Sequence, residues 1–362
     1  MANDKQDTKR RASRGDTAAK PNVNLRGVAK LVGVSTATVS RAINHPEVVS
    51  PHLREKIETA ANQLGWVPDG VARALITRRS RTIGAVFPTL SVGDFARATN
   101  AIQAELSKSG YTLLLACSEY DVDLELQQVR KFIERGVDGL ILVGQNHHPD
   151  IDTLLANRNM PVINTFVYDD KTHGTCVGPD NRKALIAMTN YLLDLGHTVF
   201  ASIAQSTKNN DRASARLDGL RHALAERGLA VRPQHLLMGE WTIAEGRALF
   251  RRLMETDPKP TAVVCGNAHL SVGAVLEALH MGIRIPDDVS IVGYDDIEIM
   301  SHLPVPITTV RVPSAEIGST AAQILIARLE GLEWTSPMES MPELVIRQSS
   351  APPPSRPDGF PR

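Results

Sequence analysis

Between Thr82 and residue 311, short apolar stretches alternate with segments of helical periodicity. The segments 95–109, 122–135, 181–195, 213–227, 243–255 and 270–281 carry apolar residues at helical spacing. Eight stretches have the length and composition of buried strands: TIGAVF (82–87), YTLLLA (111–116), GLILV (139–143), PVINTFV (161–167), TVFASIA (198–204), HLLMG (235–239), TAVVCG (261–266) and VSIVGY (289–294). This alternation predicts doubly wound parallel sheets, and two consecutive sets of about four units predict two α/β lobes. The stretch GTCVGPDN (174–181) is the predicted crossing between the lobes, and a ligand is expected in the cleft at the carboxyl ends of the strands.

The balanced net charge of the chain hides a division between its two parts. Residues 1–81 contain 15 lysines and arginines but 7 aspartates and glutamates, whereas the remainder carries a net charge of −8. A basic module on an acidic body indicates a polyanionic partner for the first part alone. A basic tail that only aids solubility does not explain this charge, because basic residues continue through Arg54, Arg73 and Arg81.

Several classes of protein and site are disfavoured by the sequence. No apolar run approaches the roughly 18 residues of a membrane span, and the charged N-terminal stretch does not look like a secretory signal. The three cysteines are widely spaced, which argues against a disulfide framework or a zinc site. The adjacent His147 and His148 in a predicted loop are a weak metal candidate. Phosphate-loop, nucleophile-elbow and zinc-protease motifs are not found. We therefore expect a cytoplasmic, nucleoid-associated protein without catalytic residues, metal or cofactor.

Three short helical patterns lie between Leu25 and Leu64. The second contains GVSTATVSRAIN (33–44), in which Gly33 ends the first helix and Ser35 is suited to cap the next. Short side chains at the start of this helix would let its backbone approach DNA closely, and hydroxyl groups can bind phosphates. These twelve residues alone are equally compatible with an ordinary helical hairpin.

The surrounding residues resemble the lac repressor/galactose repressor family of bacterial transcriptional regulators. The resemblance rests on LRGVAKLVGVSTATVSRAIN (25–44), on VVSPHLREKIETAANQLGWVPDGVARAL (48–75) and, in the body, on GVDGLILV, GPDN, IPDDVSIVGYDD and ITTVR. It covers about residues 25–349. It implies a small all-α helix-turn-helix DNA-binding domain followed by an α/β two-lobed periplasmic-binding-protein-like body with doubly wound parallel sheets.

The resemblance implies which residues contact DNA. Thr36, Ala37 and Arg41 match positions of the recognition helix that read bases. The matching positions that support this helix or hold phosphates are Ser35, Thr38, Ser40 and Asn44. Residues 70–77 resemble a hinge helix that folds on cognate DNA, in which Ala72 allows close packing of two hinges and Leu75 wedges into the minor groove.

The resemblance also implies a set of effector-binding residues in the cleft. Arg216 matches a ligand-binding arginine, and Asp295 matches an acidic group that accepts from ligand hydroxyls. Phe95 matches an aromatic residue that packs on ligands, although it could equally belong to the core. The remaining candidates are Asp94, Phe166, Arg212 and Asn267. Phe166 stands where many sugar-binding members have aspartate, which makes the inheritance of a particular sugar doubtful.

These observations predict an allosteric regulator, most often a repressor, that binds double-stranded operator DNA as a homodimer and responds to a small effector. A sugar or sugar acid is the favoured effector, and a purine remains open. An enzyme built on the α/β body and a transport-binding protein are the alternatives.

The predicted parts of the chain are a disordered basic tail (1–22), the DNA-binding domain (23–67), the hinge and linker (68–81), the body (82–349) and a disordered tail (350–362). Within the body, the first lobe is predicted at about 82–179 and 312–335, and the second at 180–311 and 336–349.

Overall fold

The structure, a computed structural model, describes residues 24–68, 70, 74, 79–170, 176–334 and 338–354. The chain divides into two compact units, one that ends at Ser80 and one that begins at Arg81. The predicted basic tail and the hinge residues Ala72 and Leu75 lie outside the described residues. In the described part of the chain, no helix is both long enough and apolar enough to cross a bilayer.

Three helices of the N-terminal unit lie between residues 24 and 68, and the sequence gives each of them a clear beginning and end. The helices are Leu25–Val32, Thr36–Asn44 and Pro51–Leu64, with a short 3₁₀ turn at Pro46–Val48. Asn24, Ser35 and Ser50 each accept a backbone N–H of the first turn. Gly33 and Gly65 end two of the helices in the left-handed conformation. The apolar faces meet in a small core of Val28, Ala29, Val39, Ala42, Ile57 and Ala60.

The second unit contains two six-stranded sheets. The strands of this unit are β1 Thr82–Phe87, β2 Thr112–Cys117, β3 Gly139–Val143, β4 Val162–Thr165, β5 Cys176–Gly178, β6 Phe200–Gln205, β7 Leu236–Gly239, β8 Ala262–Cys265, β9 Ser290–Tyr294, β10 Thr308–Arg311, β11 Met338–Glu339 and β12 Glu343–Val345. The first sheet has the order β11-β5-β4-β3-β1-β2, and the second has the order β12-β10-β9-β8-β6-β7. The pairs within the sheets are parallel except for β10 with β12. Central strands such as β3 and β9 are buried on both faces, which explains their continuous apolar sequences.

Helices cover both faces of each sheet. Their bounds are Gly93–Lys108, Val122–Glu134, Pro149–Ala156, Asn181–Asp194, Asp211–Glu226, Ile243–Met254, Ala268–His280, Ile299–His302 and Ser314–Glu330, with a 3₁₀ turn at Pro233–His235. Close packing requires small residues at some strand positions. A Cβ at Gly84 of β1 would lie 2.5 Å from the ring of Phe132. The expected two-lobed α/β architecture is thus present.

The chain crosses between the lobes three times. The first crossing follows β5 and the second follows β10, after which the helix Ser314–Glu330 packs on the helix Gly93–Lys108 of the first lobe. The last crossing joins β11 to β12. Because β11 pairs with β5, residues Met338–Glu339 belong to the first sheet, whereas the sequence placed 336–349 in the second lobe. A strand of two residues carries too little periodicity to be assigned from sequence.

The C-terminal segment differs from the predicted disordered tail over residues 350–354. The carbonyl oxygen of Ala351 lies 2.9 Å from Nε2 of His197 and accepts from the hydroxyl of Ser290 at 3.0 Å. The hydroxyl groups of Ser350 and Tyr191 are 2.9 Å apart. Tertiary hydrogen bonds therefore fix a proline-rich segment whose composition alone predicts disorder. Residues 355–362 of the predicted tail lie outside the described residues.

Candidate functional site

The second helix of the N-terminal unit turns one face to the core and the opposite face to solvent. Val39 and Ala42 are buried, whereas the residues predicted to read bases, Thr36, Ala37 and Arg41, are exposed together. The helical period of 3.6 residues separates these two groups. The helix therefore presents short side chains and one long cation on a single exposed face.

The other residues predicted to contact DNA form hydrogen bonds that stabilise the helix itself. The hydroxyl of Ser35 accepts from the backbone N–H of Thr38 at 3.1 Å and lies 2.8 Å from the hydroxyl of Thr38. The side-chain amide of Asn44 donates to the hydroxyl of Ser40 at 3.2 Å. Ser35 is exposed, and Thr38, Ser40 and Asn44 are half-buried. Their hydroxyl and amide groups thus combine support of the helix with partial access to solvent.

A cavity lies between the lobes at the carboxyl ends of the strands. About 530 Å³ of space not occupied by atoms is found there, including the part that is open to solvent. All seven predicted effector residues line it, from both lobes: Asp94, Phe95, Phe166, Arg212, Arg216, Asn267 and Asp295. The cavity therefore gathers residues that are up to about two hundred positions apart in the chain.

The first lobe contributes an aromatic wall. The rings of Phe95 and Phe166 meet edge to face with centroids 5.0 Å apart, and Phe87 lies 5.7 Å from Phe95. Phe95 belongs to the apolar core and also lines the cavity. A place in the core and a place beside a ligand are therefore compatible for this residue. Phe166 follows β4 with a φ of 61°, and its carbonyl oxygen accepts from Asn181.

Arg216 forms the charged centre of the second wall. Its Nη1 donates to Oδ1 of Asn181 at 3.0 Å, and its guanidinium lies 4.5 Å from the ring centroid of Tyr294. The hydroxyl of Tyr294 donates to the same oxygen of Asn181 at 3.0 Å. The Nε of Arg216 is buried and has no hydrogen-bond partner among the described residues. The guanidinium, which lines the cavity, thus keeps a buried donor that the described residues do not satisfy.

Asn267 has a structural role as well as a place on the wall. Its Oδ1 accepts from the backbone N–H of Leu270 and so caps the helix Ala268–His280, while its Nδ2 donates to Gln205 at 2.8 Å. The amide is therefore held in a fixed orientation, with one N–H left for a ligand.

Asp295 and Asp296 are neighbours with opposite electrostatic environments. Burial, together with the nearby charge of Asp94, raises the pKa of Asp295 to about 7. Burial also opposes the ionisation of Asp296, but hydrogen bonds from Arg347 and Arg311 outweigh it and lower its pKa. Asp295 faces the cavity, whereas Asp296 ties β10 to the C-terminal segment.

Arg212 and Asp211 join the two lobes. Arg212 donates to the carbonyl oxygen of Val143 at 3.1 Å, and Asp211 accepts from the backbone N–H of Gln145 at 2.7 Å. The two side chains also pair with each other at 2.9 Å. The sequence predicted that this helix begins at residue 213, but both residues form the first turn of the helix Asp211–Glu226, which is capped by Asn210. We call this set of contacts the interlobe latch.

Sequence reasoning missed nine residues of the cavity wall: Val92, Tyr120, Pro179, Asn181, Gln205, Trp241, His269, Tyr294 and Val312. Trp241 and His269 lie with ring centroids 5.9 Å apart, and burial raises the pKa of the Tyr120 phenol. Asn181 was detectable, because it ends the family-like segment GPDN. Tyr120 and Trp241 stand in loops beyond strand ends, where no periodicity marks them.

The side chains of the adjacent His147 and His148 bind different partners and do not face a common metal position. Nδ1 of His147 lies 2.9 Å from Glu125, and its Nε2 lies 3.1 Å from the carbonyl oxygen of Gly144, whereas His148 caps the helix Pro149–Ala156. Within the described ranges, no group of three histidine, cysteine or acidic side chains could hold a metal ion.

Comparisons with known proteins identify the family. The model of the bacterial regulatory proteins of the lacI family matches residues 24–69, and that of periplasmic binding protein-like domains matches residues 189–350. The HTH-type transcriptional repressor CytR of Escherichia coli (strain K12) is 30% identical over 342 residues, which cover 94% of this chain and 98% of that protein. The repressor PurR of Pasteurella multocida (strain Pm70) is 30% identical over 328 residues, covering 90% and 98%. This chain belongs to the lacI family of bacterial regulatory proteins.

Solved structures of lacI-family regulators agree with this assignment. The lac repressor dimer bound to operator and the anti-inducer ONPF has 25% identity and a TM-score of 0.81, covering 91% of this chain and 99% of that one. A complex of the regulator CelR with cellobiose has 28% identity and a TM-score of 0.66, covering 90% and 99%. The predicted fold and family are confirmed. The chain is a DNA-binding transcriptional regulator with a body that binds a small-molecule effector, and its relatives are regulators, not enzymes.

Proposed function

We propose that this regulator reads its operator through the exposed face of the helix Thr36–Asn44. The observation that carries the proposal is the joint exposure of Thr36, Ala37 and Arg41 opposite a buried face. Small side chains let a helix enter the major groove closely, and a guanidinium can contact guanine O6 and N7 together. Ser35, Thr38, Ser40 and Asn44 hold the helix and supply groups for phosphates.

From the sequence, a second DNA-binding role is proposed for the segment that contains Ala72 and Leu75, that of a wedge in the minor groove. An apolar wedge in the minor groove adds specificity by bending the DNA. Two copies of such a segment fit a homodimer on a pseudo-palindromic operator, and a similar solved structure is a lac repressor dimer bound to operator. The protein then acts on the nucleoid in the cytoplasm, as a repressor without catalytic activity.

The cleft is the proposed effector site. Arg216 and Asp295 bring a free donor and a free acceptor to it, Asn267 adds an oriented amide, and Phe95 and Phe166 give it an apolar wall. Hydroxylated rings match this combination, since their hydroxyl groups donate and accept while their carbon faces pack on aromatic rings. The complex of CelR with cellobiose is consistent with a sugar as the effector class.

DNA reading is tested by fluorescence anisotropy with a fragment from upstream of the protein's own locus and a random fragment of equal length. The wild type should prefer the upstream fragment, and Arg41→Ala should cost roughly 1–3 kcal/mol of that preference. Arg135→Ala removes an exposed arginine from the body and is the matched control. Equal affinity of the wild type for both fragments, or equal losses in the two variants, would contradict the proposal.

A further inference from the structure

A buried imidazole lies beside the turn that the second lobe binds. The side chains of His147 and Glu125 are each 8% exposed, and Nδ1 of His147 lies 2.9 Å from Oε2 of Glu125. The other ring nitrogen, Nε2, lies 3.1 Å from the carbonyl oxygen of Gly144 and 3.3 Å from Oδ1 of Asn164. Both nitrogens of one ring therefore face oxygen atoms that accept hydrogen bonds.

The ring satisfies both sides only when it carries two protons. A neutral imidazole has a single N–H and would place a lone pair against an oxygen atom, whereas an imidazolium donates from both nitrogens. The carboxylate of Glu125 is the stronger acceptor and keeps the proton on Nδ1 when only one remains. The amide of Asn164 can turn its nitrogen toward the ring, but the carbonyl oxygen of Gly144 can only accept. The contact with Gly144 thus distinguishes the two protonation states of His147.

The surroundings of the ring favour the imidazolium. Burial alone would lower the pKa of His147, but the hydrogen bond and the charge of Glu125 outweigh it. Asn164 and the charge of Asp211, which belongs to the second lobe, act in the same direction, so the pKa is raised above its ordinary value of 6.5. The proton of His147 is therefore lost near or above neutral pH, where a histidine can respond to its environment.

Other charged groups near this turn are already paired. Arg212 is a cation that contacts the turn, and it is bound to Asp211 at 2.9 Å. The ring of the neighbouring His148 lies 3.6 Å from Asp123 and 4.0 Å from Asp150. Glu125 is thus the carboxylate that contacts the ring of His147 directly.

The same turn carries the contacts of the interlobe latch. The carbonyl oxygen of the residue before Gly144 accepts from Arg212, and the backbone N–H of the residue after it donates to Asp211. The carbonyl oxygen of Gly144 itself accepts from His147. The ring therefore holds the turn at the position between the two points that join the lobes.

We propose that His147 is a proton switch that positions the interlobe latch. Its imidazolium holds the carbonyl oxygen of Gly144 and keeps the turn 143–147 in the form that the second lobe binds. Loss of the proton leaves a lone pair that faces this oxygen, so the turn shifts and the latch loosens. The proton is then an input to the regulator in addition to the effector, and the inference does not depend on which effector the cleft takes.

The direction of the pH dependence follows from the raised pKa. The contribution of the imidazolium to the latch is complete below the ordinary pKa of 6.5 and is lost as the pH rises through the higher pKa of the folded protein. The latch should therefore be tight in mildly acidic solution and loose in alkaline solution.

The first test follows the ring itself, by NMR titration of the full-length protein labelled in its histidines, without DNA or ligand. The resonance that disappears in His147→Gln belongs to His147. In the wild type it should titrate above 6.5, and in Glu125→Gln its midpoint should fall below that of the wild type, because burial then meets less opposition.

The second test is hydrogen exchange at residues 143–147 from about pH 6 to about pH 9, corrected for the intrinsic rate. Protection in the wild type should fall about tenfold or more as His147 loses its proton, which is the size expected of a hydrogen bond to a charged group. Protection in His147→Gln should not depend on pH over this range. Because this variant keeps Asp295, the comparison also removes the contribution of that carboxyl group, whose pKa is about 7.

His148→Asn is the matched control. It removes the adjacent titratable ring, and asparagine can still cap the helix Pro149–Ala156, which His148 caps in the wild type. Protection at 143–147 should keep the pH dependence of the wild type in this variant.

Any of four results would overturn the switch. A wild-type His147 that titrates below 6.5 is one, and equal midpoints in the wild type and Glu125→Gln are another. The others are a protection at 143–147 that stays constant while the ring titrates, and one that changes alike in the wild type and His147→Gln. The wild-type titration does not require Glu125→Gln to fold. The proposed DNA reading and effector site fail separately, since they are measured with DNA or with ligand.

Discussion

At the scale of single residues, Asp295 is a carboxyl group of the cleft whose ionisation is opposed by burial. Its pKa of about 7 in the folded protein lies above the ordinary value of 3.8. The folded state therefore holds a proton that the unfolded state has lost between these two pH values. The stabilising contribution of this proton is complete below about pH 4 and is lost as the pH rises through 7.

The charged groups that face Asp295 come from several elements. Asp94 raises its pKa, whereas Arg216, Arg97 and Arg212 lower it without offsetting burial. His269, whose own pKa is lowered by burial, is a further titratable group in the cavity lining. The balance of these groups favours the protonated carboxyl at Asp295 in the folded protein.

We predict that Asp295→Asn changes the pH dependence of stability. The unfolding temperature of the wild type should fall steadily relative to that of the variant between about pH 4 and pH 7, because the asparagine has no proton to lose. Unfolding temperatures measured from about pH 4 to pH 8 test this. Curves that stay parallel over the whole range would show that Asp295 is already ionised at low pH.

At the scale of elements, the interlobe latch depends on the turn that follows β3. Gly144 has a φ of 83°, and a Cβ there would lie 2.0 Å from Nη1 of Arg212 and 2.5 Å from Oδ1 of Asp211. A side chain at this position would therefore both strain the turn and push the first lobe away from the helix Asp211–Glu226.

Gly144→Ala should open the cleft and weaken the binding of its ligand. Gly136→Ala is the matched control, because Gly136 has a φ of 72° but a Cβ there would meet nothing within 4 Å. Both variants should lose roughly 1–3 kcal/mol of stability from the strained backbone. Faster hydrogen exchange at 143–147 and weaker ligand binding should occur in Gly144→Ala alone. The latch has no such role if the two variants exchange and bind alike.

Most elements of this fold could be predicted from the sequence, because buried parallel strands and amphipathic helices have distinct periods. The short strands β5, β11 and β12 could not, since two or three residues carry no period. The order of residues 350–354 also escaped prediction, because hydrogen bonds with His197 and Ser290 override a disorder-prone composition.

The site was predictable where a motif identified it and not elsewhere. Arg216, Asn267 and Asp295 stand in segments that resemble the family, and the structure brings them to one cavity. Trp241 and Tyr120 could not be found, because a loop after a strand shows neither period nor spacing. Oδ2 of Asp94 is buried and has no hydrogen-bond partner among the described residues, and this property of tertiary packing leaves no mark in the sequence.

At the scale of the whole molecule, the chain connects the two lobes at three crossings. Two walls of the cleft belong to different sheets, so a ligand that contacts Asp94 and Asp295 favours one arrangement of the lobes. Such coupling between effector and operator is reciprocal, and a typical value is about 1–3 kcal/mol, which corresponds to roughly 5- to 150-fold in affinity. A ligand with equal affinity for both arrangements would shift nothing.

The most direct test of regulated DNA reading is the operator affinity, measured by anisotropy without ligand and then with the cleft saturated by the tightest sugar found by thermal shift. The wild type should change its affinity by at least about fivefold. Arg216→Ala, which removes the guanidinium that lines the cleft, should leave operator binding without ligand intact but abolish the response. An operator affinity that stays the same when calorimetry shows the cleft to be saturated would contradict effector control of this regulator.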